Sequence, residues 1–437
     1  MRAGKQLARE IFQATLAALD IPCVMQRKLT FDGGTLQLEE SAIVLPQGAP
    51  LFLVAIGKAS HALVAGLCTL VPDSYKFKGV VAAPTKPTTP VPGLKYFVAG
   101  HPNPNEGSWQ AAEAILALLR ETHEGSVVFF LLSGGGSALT ELPLISEMRL
   151  EDLQAVNHAL VTCGAPIEAM NTVRRHFSAI KGGRLALAAA RATKVTLAVT
   201  DVPEGKEHAL ASGPTVPDPS TIADVNRILE EFDLGKKFPE VLTRWLNAGK
   251  MPETPKPGDP AFRNAHFQLL LGMHDLFHAA HHAAEAHGFL TCCDNTTDDW
   301  PVQQAVEALL QKLAEWQNEN PGQPVALIAD GELSSPVTGN GLGGRNSAFV
   351  LSCVEKIAGR KITVLSAGTD GMDGNSPAAG AVADGETLAR AHALGLDPVA
   401  SFQQSDAYTF FQKLDDAILT GPTGNNLRDL RILLTEP

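Results

Sequence analysis

The chain has 437 residues, 45% of them apolar and 19% charged, with a formal net charge of −12. That length exceeds what one hydrophobic core usually fills, so two domains are expected. An acidic chain without basic runs or aromatic-interleaved patches excludes nucleic acid as a natural partner, and no window reaches the apolar length of a membrane span. Six cysteines, none in metal-finger spacing, fit a reducing cytoplasm, and Cys292–Cys293 reads as a strand end rather than a redox device.

The first twenty residues, MRAGKQLAREIFQATLAALD, place apolar side chains at helical spacing between charges, which predicts an amphipathic helix rather than a leader peptide. Short strands apolar on both faces follow at 51–56, 79–84, 125–133 and 194–202, with helical stretches between them. That alternation is the pattern of parallel strands between helix layers. The Pro- and charge-rich run 247–262 is expected to be an interdomain linker or a long exposed loop. Strands resume at 266–272, 324–331 and 361–370, with helices near 274–288, 302–318 and 346–358. The expectation is an α/β protein of two Rossmann-like domains, 1–250 and 255–437, each with a mostly parallel sheet flanked by helices.

Chemistry is expected at the strand ends, where open parallel sheets gather their ligands. The turn Ser133-Gly134-Gly135-Gly136-Ser137 has more glycine than a tight turn requires, and bare backbone lets phosphate oxygens reach amide N–H groups. Lys58 follows a glycine at the start of a predicted helix, a position that disfavours a cation and so suggests a charge role. Arg174, Arg175, Lys181 and Arg184 crowd around Gly182 and Gly183, and Lys181 with the two glycines is taken as part of the cofactor site. Asp201, at a strand end, reads equally as a metal or hydroxyl ligand and as a turn cap.

The run DGELSSPVTGNGLGGRN contains a literal GxGxxG at Gly339, Gly341 and Gly344, but its strand ends well upstream and no acidic residue follows at the right distance. Arg345 makes this loop read better as an anion grip. Asp370 and Asp373 lie in one Gly-rich loop and are spaced to share Mg²⁺. His274, His278, His281 and His282 fall on one helical face, which reads as solvated because no second segment supplies obvious metal ligands.

The motifs IGKAS, GHPNPNEGS, LLSGGGSAL, NTVRRHFSAIKGGRLA, ASGPT, GNGLGGRN, TDGMDG and TGPTGNNLRDL, in that order, resemble the glycerate 2-kinases of the MOFRL type. The resemblance runs from the first helix to the last strand. It implies two α/β domains around a deep cleft and ATP-dependent phosphorylation of D-glycerate to 2-phosphoglycerate with Mg²⁺. Lys58, Arg345 and Asp370 match its catalytic or substrate-binding positions, with Asp201 and Asp373 as metal candidates. The chain departs from the family pattern at Ser347, Ala348 and Pro377, where the family commonly has Gln, Glu and Asp. These departures bear on metal geometry and on which small hydroxy acid is the substrate. The alternatives are an NAD(P)H-dependent hydroxypyruvate reductase, a kinase for a related hydroxy acid, and a non-catalytic sensor. Oligomeric state stays open, a homodimer among the options.

Overall fold

The computed structural model describes residues 4–200, 202, 205–425 and 427–435. Two compact units emerge: one is the continuous segment 21–271, the other combines residues 4–20 with 272–435. The boundary thus falls later than the Pro-rich run, which is a loop of the first unit. Its reason is strand 265–271, which completes the first sheet. The first helix, Gly4–Ala18, belongs with the C-terminal half, not with the residues that follow it.

The first unit opens with a small antiparallel sheet of β1 (Thr30–Asp32), β2 (Thr35–Gln37) and β3 (Ala42–Val44). Its main sheet contains β4 (Leu51–Ile56), β5 (Phe77–Ala83), β6 (Leu94–Val98), β7 (Val127–Ser133), β8 (Thr193–Val199) and β9 (Ala265–Leu271). The six run in the order β6-β5-β4-β7-β8-β9, every pair parallel. β4 and β7 are buried along their whole length, which explains their unbroken apolar sequences. Val54, Phe130 and Leu132 pack with Ile115 and Leu185 from the covering helices. The chain enters at β4, works outward to β6, then returns to β7 on the other side. The carboxyl ends of β4 and β7 therefore flank a topological switch point, where such sheets open a crevice.

The second unit holds β10 (Leu290–Asp294), β11 (Val325–Asp330), β12 (Ile362–Gly368), β13 (Gly380–Asp384), β14 (Ala417–Ile418) and β15 (Asp429–Thr435). Their order is β10-β11-β15-β12-β13-β14, and only β10 and β11 pair in parallel. A mostly parallel second sheet was expected; the sheet is mixed because β15 inserts between β11 and β12 and runs against both. One consequence is local. Asp330 and Gly368 end their strands beside Leu430 and Asp429, so the start of β15 lies between two carboxyl ends. Phe349, Val364, Leu327 and Leu433 form the core beneath.

Candidate functional site

At the switch point of the first sheet, Gly57 leaves β4 with φ +132°, and a Cβ there would lie 2.1 Å from Ser133 Oγ. That close approach locks two loops together. Ala59 N–H donates to Ser133 Oγ at 3.0 Å, and Lys58 N–H donates to Gly134 O at 3.0 Å. Gly135 takes φ +80°, and a side chain there would meet the His101 ring at 3.0 Å and Lys58 Cγ at 3.3 Å. Lys58, His101 and the glycine turn thus converge on one spot. The helix that follows, Gly136–Leu139, has four residues, too few for a helix dipole to matter. What the turn offers is amides: among the described residues, no partner is found for the N–H of Gly134, Gly135 or Gly136.

His101 was missed in the sequence, although its motif was noted. The signal was a histidine just past a strand end, here β6. Burial, and then the Lys58 charge, pushes its pKa below the ordinary histidine value, so the ring is neutral at pH 7.

Lys181, Gly182 and Gly183, expected at the cofactor site, are turned to this chain's own groups. Lys181 is 1% exposed and forms an ion pair with Glu141, which also accepts from Ser178 Oγ at 2.6 Å. Burial lowers the Lys181 pKa and the Glu141 carboxylate opposes it. The N–H groups of Gly182 and Gly183 donate to Ser212 O at 3.0 Å and Gly213 O at 2.7 Å. Their work is to hold the segment Ala211-Ser212-Gly213, whose φ values of +48°, +61° and +64° are costly for alanine and serine. Ser212 Oγ in turn lies 2.9 Å from Ser137 Oγ, so this strained segment buttresses the glycine turn. Arg175 is buried, paired with Asp218 at 2.9 Å, and Arg184 donates to Arg175 O at 3.2 Å. The basic cluster is a structural network, because the Asp and Glu partners arrive from loops far along the chain. Asp201 lies outside the described residues.

In the second unit the GxGxxG glycines answer to packing. Cβ atoms at Gly339, Gly341 and Gly344 would lie 2.4 Å from Gln404 O, 2.4 Å from Asp406 Cβ and 2.3 Å from Asp373 Oδ1. The loop's amides are also taken: Gly339 donates to Ser405 Oγ, Gly341 to Gln404 O, Leu342 to Asp406 Oδ1 and Gly343 to Asn375 Oδ1. Asp373 caps the helix Arg345–Val354, accepting from Gly344, Asn346 and Ser347 N–H at 2.9–3.1 Å and from Ser347 Oγ at 2.5 Å. It is 1% exposed, and burial pushes its pKa up. The expectation that Asp373 is a metal ligand fails on this geometry: its lone pairs point at the helix start. Ser347, a departure from the family pattern, is one of the donors.

Arg345 and Asp370 are brought to one place. Arg345 Nε donates to Asp429, while NH1 and NH2 meet Glu332 at 2.9 and 2.8 Å. A Cβ on Gly368 would lie 3.1 Å from Asp370 Oδ1 and 3.3 Å from Asp429 Oδ1, so both carboxylates flank the same bare backbone. Met372 N–H donates to Asp370 Oδ1 at 3.0 Å. Beside them, Asp330 is fully buried and, among the described residues, neither of its carboxylate oxygens has a hydrogen-bond partner. Desolvation raises its pKa to about 6, against the lowering by Arg428 and Arg431. Glu332 and Asp429 were also missed in the sequence, although both stand in motifs that were read, DGELSSPV and NNLRDL.

The histidine face lines an open surface pocket with Phe277, Cys293 and Asn295. Burial pushes the Cys293 thiol up to about 11, away from the thiolate a metal needs. Among the described residues no group of three His, Cys, Asp or Glu is placed to hold a metal ion.

A parallel α/β sheet with an amide-lined turn and a lysine at its switch point is the architecture of small-anion-binding enzymes. The known proteins this chain resembles narrow that class. A model described as a domain of unknown function (DUF4147) matches residues 7–247, and the MOFRL family model matches 325–429. D-glycerate 2-kinase of Thermotoga maritima is 35% identical over 87% of this chain and 90% of its own length. An Agrobacterium vitis protein, provisionally named hydroxypyruvate reductase, is 35% identical over 99% of this chain and 94% of its own. The solved structure of glycerate kinase from Thermotoga maritima superposes with a TM-score of 0.84 at 32% identity, covering 99% of each chain. The chain belongs to the MOFRL-type glycerate 2-kinase family.

Proposed function

We propose that this protein transfers a phosphoryl group from ATP to the 2-hydroxyl of D-glycerate. The observation that carries the reading is the Ser133–Ser137 turn, whose Gly134, Gly135 and Gly136 amides find no partner among the described residues and sit against Lys58 at the switch point. Phosphoryl transfer asks mainly for positioning and for positive potential against the charge on the transferred group. The turn and Lys58 supply that for the nucleotide phosphates. Arg345 clamps the glycerate carboxylate through its planar fork, and Asp370 orients the substrate hydroxyl or accepts its proton. Magnesium in such enzymes is held by one or two carboxylates together with substrate phosphates, so the absence of a ready-made three-acid group among the described residues does not oppose it. Asp370 and Asp429, which flank the same bare backbone at Gly368, are the pair that fits this role.

The reductase reading rests on GxGxxG, and each of those glycines is explained by packing against this chain's own residues. The test is incubation with ATP, Mg²⁺ and D-glycerate followed by phosphorus NMR, with hydroxypyruvate and NADH run in parallel. A 2-phosphoglycerate resonance with ADP release is expected. NADH consumption without phosphorylated product would overturn the proposal, and so would ligand-induced thermal stabilisation without turnover of either substrate.

A further inference from the structure

The guanidinium of Arg345 is held by two carboxylates that differ in kind. Asp429 grips Nε, and its side chain is 6% exposed. Glu332 takes the NH1/NH2 edge with one oxygen on each nitrogen, and its side chain is 47% exposed. That outer edge is the one a planar, bidentate carboxylate ligand needs. The backbone of Glu332 is fixed: its N–H donates to Asp298 Oδ1 at 2.8 Å and its carbonyl accepts from Asp299 N–H at 2.8 Å. Gly331 before it has φ +102° and presses against Asp298, and Leu333 after it is buried. Only the Glu332 side chain is at liberty to leave, and a half-exposed ion pair is weak enough to exchange.

We propose that Glu332 is an internal stand-in for the substrate carboxylate, holding the outer edge of Arg345 until glycerate displaces it. This rests on the reading of Arg345 as the carboxylate clamp. A monocarboxylate replaces Glu332 charge for charge, so the guanidinium stays paired in both states and Asp429 keeps its orientation. The released side chain moves into water. A residue in this role competes with substrate, whereas one that merely orients Arg345 assists it. The two roles predict opposite signs.

The test is steady-state kinetics of Glu332→Ala and Glu332→Gln, each checked for folding by thermal melting. Removing the competitor should lower KM for D-glycerate about two- to fivefold, the range a surface ion pair allows, with no matching fall in KM for ATP. Glu332→Gln should lie between wild type and Glu332→Ala. An unchanged or raised KM for glycerate in the folded variants overturns the proposal and makes Glu332 a support for Arg345. Arg345→Lys separates the two levels. If it raises KM for glycerate while the Glu332 variants fail to lower it, the clamp stands and the stand-in falls. If Arg345→Lys leaves KM for glycerate unmoved, the clamp itself is wrong, and the stand-in with it.

Discussion

Two glycine-rich turns follow strands in this protein, and they have opposite relations to their own chain. In the turn at 133–137 the amides of Gly134, Gly135 and Gly136 find no partner among the described residues, and a lysine and a neutral histidine stand over them. In the turn at 338–347 most of the donors are occupied, by Ser405, Gln404, Asp406, Asn375 and above all Asp373. The second turn already contains its anion. Glycine content alone does not separate a ligand cradle from a packing device; the fate of each N–H does.

Breaking the first turn should have the largest effect. Lys58→Met should lower kcat/KM by about 10²–10³-fold, the usual cost of losing one donor aimed at transition-state charge, with little change in melting temperature. Near-wild-type turnover would remove the distinction between the turns. In the second turn, Asp373→Ala should act through stability. It leaves the Asn346 and Ser347 amides without an acceptor and takes the better of two partners from Gly344 N–H and Ser347 Oγ, and about 2–3 kcal/mol should be lost in urea unfolding.

Asp330, at the strand end leading to that turn, sharpens the contrast through pH. Its pKa is about 6 when folded, above the ordinary aspartate value near 4, so the folded state holds the extra proton between them. Its contribution to stability is therefore present at low pH and lost as pH rises through that window. Asp330→Asn, which cannot ionise, should gain on wild type across the same interval, by up to about 3 kcal/mol above pH 6. A constant difference in unfolding free energy from pH 4 to 8 would show that Asp330 is paired. The smallest effect belongs to the histidine face. Replacing His274, His278, His281 and His282 together by Gln should leave turnover and metal content at wild-type levels, measured by kinetics and elemental analysis.

What could be read from the sequence was whatever local pattern decides. The doubly apolar strands β4, β7 and β8 announced a parallel sheet, and Lys58 and the glycine turn were legible as strand-end loops, while the strand order that makes their position a switch point was not. The second sheet was misread because β15 pairs with strands from 61 to 110 positions earlier, and nothing in RILLT states its direction. Asp373 and Lys181 were misread for a shared reason. A charged residue beside glycines looks available in one dimension, yet each meets a partner whose proximity is purely tertiary, the start of helix 345–354 for one and Glu141 for the other. Glu332 and Asp429 became visible only once the guanidinium edges of Arg345 could be counted.

The helix Gly4–Ala18 packs with the C-terminal half, and Lys5 binds Asp416, 411 positions away, at 2.9 Å. During synthesis at ~5–20 residues per second, that partner emerges roughly 20–80 s after the helix does. Through this interval the entire segment 21–271 can complete its sheet, while the face bearing Ala8, Ile11 and Phe12 stays uncovered. This helix thus waits for the far end of its own unit before it finds its place. A chaperone, or a misfolding event, has that whole interval in which to act on it.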